Sequence, residues 1–130
     1  MDFKDYFTRG SHGTLRLKNN TQFSYMNPWK QLYTDTIIDE WHVGEIMSAE
    51  YTIVVANGIN AKETIKAIVI ASPEAASIAI IGRASIANNM VNVDVAVNNS
   101  TLQLKVSPAS GESAGAKVMF SATYYQNFSS

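Results

Sequence analysis

The chain has 130 residues, 46% of them hydrophobic and only 16% charged, and its net charge is −1, from 10 Lys+Arg against 11 Asp+Glu. This length and apolar content describe one globular domain rather than a disordered chain, and the charge balance excludes a general nucleic-acid binder, which carries an excess of base. The absence of cysteine removes disulfide scaffolds, thiolate zinc sites and cysteine nucleophiles.

The first 48 residues form a compositional regime of their own. They contain no alanine, and they hold Phe3, Tyr6, Phe7, Phe23, Tyr25, Trp29, Tyr33 and Trp41, most of the aromatic residues of the chain. Charges are segregated as well: Arg9, Arg16, Lys18 and Lys30 are followed, between Lys30 and Lys62, by Asp35, Asp39, Glu40, Glu45 and Glu50. The charged, aromatic start Met1–Arg9 has neither the apolar run nor the small-residue cleavage site of a signal peptide. Arg9-Gly10-Ser11-His12-Gly13 is Gly-flanked and polar but lacks the strand–loop–helix frame of a phosphate loop, so it reads as a turn. Leu15–Lys18 alternates as a short strand, Asn19–Thr21 is a turn, and Asn27-Pro28-Trp29 interrupts any regular element. Thr36–Ile38 predicts another short strand. These residues have too few aliphatics to close a core, while their aromatics require burial. Residues 1–48 are therefore expected to form an extended arm that lies against its own domain or a neighbouring subunit, with 49–130 as the folded body.

From Glu50 onward the hydrophobic period is two. Tyr51, Ile53 and Val55 share a face, as do Val91, Val93, Val95 and Val97, then Leu102, Leu104 and Val106, then Val118, Phe120, Ala122 and Tyr124. Thr64–Ala71 and Ile78–Ile86 are more continuously apolar and predict strands buried on both sides or central in a sheet. A short Ala-rich helix within 73–87 is the competing reading, disfavoured by β-branched Ile78, Ile80 and Ile81. Turn chemistry sits between the runs: Asn57-Gly58, Ser72-Pro73-Glu74, Asn88-Asn89, Asn98-Asn99-Ser100 and the longer Pro108–Gly115. Six strands at short spacing predict an all-β fold, an antiparallel β-sandwich of jelly-roll, Ig-like or barrel-like type with an aromatic-rich N-terminal arm. The longest apolar stretch, Ala67–Ile81, is broken by Ser72-Pro73-Glu74 and is no membrane span.

Few residues suggest chemistry. Asp39, Glu40, His42 and Glu45 are the densest set of metal-ligand types, but no second histidine lies near and the set reads as an acidic connector beside Trp41. His12 and His42 are the only histidines, and no Gly-x-Ser-x-Gly elbow or marked carboxylate pair occurs. Catalytic residues, cofactors and a metal are therefore not expected, and a non-enzymatic protein is. Lys62, Lys66, Lys105 and Lys117 read as solubility and edge-protecting residues. Arg83 interrupts an apolar run and is expected to pair with an acid inside the fold or across an interface. Tyr124 and Tyr125 point to opposite faces of one strand, so one of them is available for contact. The aromatic and basic residues of the arm, with Trp41, Arg83 and Tyr125, are the candidate assembly interface: Phe3, Tyr6, Phe7, Arg16, Lys18, Phe23, Tyr25, Trp29, Tyr33, Trp41, Arg83 and Tyr125.

Glu40-Trp41, Ser48-Ala49-Glu50-Tyr51-Thr52, Ile81-Gly82-Arg83 and Gly115-Ala116-Lys117 leading into Phe120-Ser-Ala-Thr-Tyr-Tyr125 resemble small β-rich virion proteins of tailed bacteriophages, especially contractile-tailed phages of marine cyanobacteria. The resemblance implies a structural component of a phage virion, assembled in the host cytoplasm with other virion proteins and copies of itself. Tail, baseplate, fibre-attachment or neck is the expected location, with capsid decoration the alternative. A carbohydrate-binding receptor module using Trp29, Trp41 and exposed tyrosines on a surface glycan is the competing class. Neither nucleic acid nor membrane is an expected partner.

Overall fold

A computed structural model of the chain describes residues 7–9, 15–17, 22–26, 30–86, 88–109 and 114–128, the first three stretches through their backbone. The strands are β1 (Phe7–Arg9), β2 (Leu15–Leu17), β3 (Gln22–Met26), β4 (Lys30–Leu32), β5 (Thr36–His42), β6 (Ile46–Ala56), β7 (Lys62–Ala71), β8 (Ala76–Ile86), β9 (Val91–Asn98), β10 (Thr101–Pro108) and β11 (Ala116–Gln126). All pairings are antiparallel. The fold is all-β. A six-stranded sheet in the order β3-β11-β6-β7-β8, with β4 also on β11, packs on a three-stranded sheet β5-β10-β9, and β1 and β2 pair with each other.

The period-two pattern places the core. Tyr51, Ile53 and Val55 on β6, Ile65 and Val69 on β7, and Val118, Phe120 and Tyr124 on β11 meet Ile38 and Trp41 on β5 and Leu102, Leu104 and Val106 on β10. The hairpins follow their turn residues. Asn57-Gly58 joins β6 to β7, with Gly58 at φ +73°, a left-handed conformation that an L side chain rarely adopts. Asn99 (φ 51°) and Ser100 (φ 60°) form a two-residue connection of the primed type between β9 and β10, which matches the twist of the strands it joins.

Two expectations need correction. The division expected at residue 48 is not where the sheets divide. Strand β5 pairs with β10, β3 and β4 pair with β11, and Leu32, Ile38, Trp41, Val43 and Ile46 belong to the buried core. The acidic residues of this stretch hide a strand because one acid, Asp39, faces inward. A bulge in β5 between the partners of Leu104 and Lys105 turns both Ile38 and Asp39 into the interior. The second correction concerns β7 and β8: β7 is central in its sheet, between β6 and β8, as one of the two readings had it, but neither strand is buried on both faces. β7 alternates strictly, with Ile68 and Ile70 on its outer face, and β8 is an edge strand. Residues 76–86 form a continuous strand rather than a helix.

Candidate interaction surface

Two polar clusters join the sheets. In the first, the Asp39 carboxylate on β5 accepts hydrogen bonds at Oδ2 from the Tyr51 hydroxyl of β6 at 2.7 Å and the Tyr124 hydroxyl of β11 at 2.5 Å. The Trp41 indole N–H donates to the Tyr51 hydroxyl oxygen at 2.8 Å. Tyr51 stacks edge-on against Tyr124 and Phe120, with ring centroids 6.2 and 5.7 Å apart, a favoured aromatic geometry. Burial, then the charge of Asp39 and the hydrogen bond to it, hold the Tyr51 hydroxyl well above the ordinary tyrosine range, while the bond from Trp41 acts in the opposite sense.

In the second cluster, Glu63 of β7 is buried beneath the entry to β9. It accepts from the Ser85 hydroxyl at 2.5 Å and from the backbone N–H groups of Met90 and Val91 at 3.1 and 3.3 Å. The guanidinium of Arg83 lies 3.6 Å from the carboxylate and donates to the Val91 carbonyl at 3.2 Å. Buried charge is tolerated only with such partners. Among the described residues, every buried side-chain nitrogen and oxygen has a hydrogen-bond partner. Both carboxylates are about 1% exposed and so out of reach of any bound molecule.

The candidate residues fall into three groups. Phe3, Tyr6, Lys18 and Trp29 lie outside the described residues, and Phe7, Arg16, Phe23 and Tyr25 are described through their backbone, which places Phe23 opposite Tyr124 and Tyr25 opposite Ala122. Trp41 is corrected: it is 3% exposed and hydrogen-bonded in the core, so it offers no surface to a neighbour or a sugar. Arg83 has its acid, Glu63, in the same chain. Tyr33 is 64% exposed beside Gly115, whereas Tyr125 is half-buried at the other end of β11. The acidic set is dispersed. Asp39 faces the core, Glu40 accepts from Gln103, and His42 Nδ1 accepts from the Gly44 N–H. Among the described residues, no three His, Cys, Asp or Glu side chains come close enough to share a metal ion.

The surface that the sequence reading passed over is apolar. Ile68 and Ile70 of β7, with Ile80, Ile81 and Ile86 of β8, are all exposed. Ile68, Ile70 and Ile86 lie on the uncovered outer face of the six-stranded sheet, and two further geometrical facts expose Ile80 and Ile81. The six-stranded sheet overhangs the three-stranded one, so Ile78 is only partly covered by the β9 side, where Val93, Val95 and Val97 are also half-buried. A bulge between the partners of Lys66 and Ala67 then leaves Ile81 unpaired to β7 and re-aims the strand. The sequence did not announce it: β8 carries no charge except Arg83, as an inner strand would, whereas an exposed edge ordinarily carries lysines or proline.

No protein-family model and no curated protein matches the chain. Solved structures do. The chain is similar to the tailspike of Acinetobacter baumannii phage AM24, with a TM-score of 0.50 at 13% identity over 85% of this chain and 27% of that one. It is also similar to the tailspike of a second Acinetobacter phage, with a TM-score of 0.45 at 13% identity over 92% of this chain and 25% of that one. A third is the tailspike of Acinetobacter baumannii bacteriophage Fri1, described as a capsular polysaccharide depolymerase, with a TM-score of 0.49 at 12% identity over 92% of this chain and 19% of that one. The chain thus spans about a quarter or less of each tailspike. The likeness to the AM24 tailspike is one of fold. The expectation of a non-enzymatic class is corrected by the same comparison, because the proteins matched include one described as a polysaccharide-degrading enzyme.

Proposed function

We propose that the chain is a β-sandwich module of a bacteriophage tail protein, working in the structural or receptor-binding part of the particle. The supporting observation is the fold likeness to a phage tailspike over most of the chain, together with the independent resemblance of its motifs to phage virion proteins. Tail, baseplate or fibre attachment is the location this reading favours over capsid decoration. Assembly with other copies and with other virion proteins fits an exposed isoleucine surface on a weakly charged domain. The arm reading narrows to the residues before Gln22, since β3 onward is paired into the sheets. The finer resemblance to contractile-tailed cyanobacterial phages belongs to this proposal as well.

Localisation in intact particles tests the reading. Antibody-gold labelling is expected at the tail, and labelling spread over the capsid overturns it. A second reading, glycan contact, is favoured by the exposed ring of Tyr33. Binding to capsular polysaccharide that survives Tyr33→Ala removes that residue from the role, and release of reducing ends in the same mixture reports cleavage.

A further inference from the structure

We propose that β8 is a self-association edge, pairing antiparallel with β8 of a second copy to join two six-stranded sheets into one. This deepens the assembly reading above and rests on it.

Strand β8 ends its sheet, so one side of its backbone has no strand partner among the described residues. An edge strand flanked by exposed apolar side chains is a template for strand addition. The occupant follows from charge and from side-chain size. The single charged residue of β8, Arg83, is engaged by Glu63 and the Val91 carbonyl. A neutral edge offers nothing to a charged partner and nothing to repel an identical one.

The bulge fixes which register keeps faces together. Ile80 and Arg83 lie opposite Ala67 and Ile65 of β7, both buried, so both belong to the inner face. Gly82 and Ala84 lie opposite Lys66 and Thr64 and belong to the outer face. Antiparallel pairing about the Ile81-Gly82 step sets inner residues against inner and outer against outer. Ile81 of one copy then meets Gly82 of the other, Ile78 meets Ser85, Ser77 meets Ile86, and Ala79 meets Ala84. Large residues meet small ones at the crowded positions, and no Cβ-sized obstacle lies within 4 Å of the position above Gly82. Arg83 falls opposite Ile80, so the two guanidiniums are offset by three residues, about 10 Å along the edge at the rise of a strand. At that separation each guanidinium also faces the carboxylate of its own Glu63, which offsets the repulsion between the two copies.

The test uses the full chain in three forms. Light scattering on a sizing column, up to the highest soluble concentration, is expected to give a concentration-dependent dimer mass for the parent chain. Ile81→Lys replaces a side chain that is 61% exposed, so thermal unfolding measured at a concentration where the parent chain is monomeric is expected to be unchanged. It should weaken association by about a hundredfold or more, because two added ammonium groups meet beside the axis. The chain has no cysteine, so Ile81→Cys introduces the sole thiol and is expected to give a disulfide-linked dimer under mild oxidation. Ile59→Cys, on a loop residue 80% exposed, is expected to give none. A parent chain that stays monomeric overturns both this proposal and the self-assembly reading. An oligomer that persists in Ile81→Lys overturns only this proposal. Dissociation by Ile81→Lys without cross-linking of Ile81→Cys overturns self-pairing in favour of another strand on this edge.

Discussion

Removing the Tyr124 hydroxyl isolates one of the bonds that tie the two sheets together. In Tyr124→Phe the ring keeps its packing and the Asp39 carboxylate keeps Tyr51, so the loss is one hydrogen bond to a charged group, about 1.5–3 kcal/mol. Asp39→Ala acts on more groups, since it leaves two buried hydroxyls without their acceptor, at about 1–3 kcal/mol each, or about 4 kcal/mol in all. In the double variant the Tyr124 hydroxyl is no longer there to be orphaned. The double variant leaves only the Tyr51 hydroxyl orphaned, at about 2 kcal/mol, so it should fall about 4 kcal/mol short of the sum of the two single effects. Urea denaturation followed by tryptophan fluorescence measures all four forms, with a common m-value as the check on two-state unfolding. Additivity to within about 0.5 kcal/mol would refute the claim that Asp39 and Tyr124 act as a unit.

Further predictions concern pH, the second cluster and the turns. Tyr51 has a raised pKa in the folded state, so the folded form holds its proton more tightly. Its contribution is intact below the unfolded value of about 10 and is lost as pH rises above it. Denaturation midpoints at increasing alkaline pH should fall more steeply for the parent than for Tyr51→Phe, and equal slopes would count against the mechanism. Glu63→Ala strips the Met90 and Val91 N–H groups of their acceptor and leaves Arg83 without its carboxylate; a loss of about 3–5 kcal/mol is expected, with Glu63→Gln milder, and calorimetry decides. Ser100→Gly relieves a positive φ and should stabilise by about 0.5–1 kcal/mol, whereas Gly58→Ala should cost a similar amount. Opposite shifts in thermal midpoint are the readout.

The sandwich was legible where alternation and turn chemistry agreed. Val91–Val97, Leu102–Val106 and Val118–Tyr124 are strands, and the Asn-rich turns fall between them. It was obscured where a bulge shifted the period. Asp39 next to Ile38 reads as a polar break, yet both face inward because one residue is unpaired there. The two tyrosines that make Asp39 a tolerable core residue come from other strands, Tyr51 from β6 and Tyr124 from β11, 85 residues along the chain, so no pattern within β5 announces them. Trp41 was misread for the same reason: in the sequence its neighbours are charged, while in the fold its N–H faces Tyr51. The edge position of β8 was not legible, because a continuous apolar run describes an inner strand and an assembling edge equally well.

The placement of β11 has a consequence for how the chain folds. Strand β11 lies between β6 on one side and β3 with β4 on the other, although β3 and β4 are made long before it. A chain growing from its amino end thus carries the strands from β3 to β10 without the piece that bridges them, and the carboxylate of Asp39 waits for a hydroxyl contributed by β11. Pairings of such wide sequence separation belong to the slow end of two-state folding. In the interval the isoleucines exposed on β7 and β8 in the finished fold belong to strands already made, so the growing chain carries this apolar edge before β11 is there to close the core.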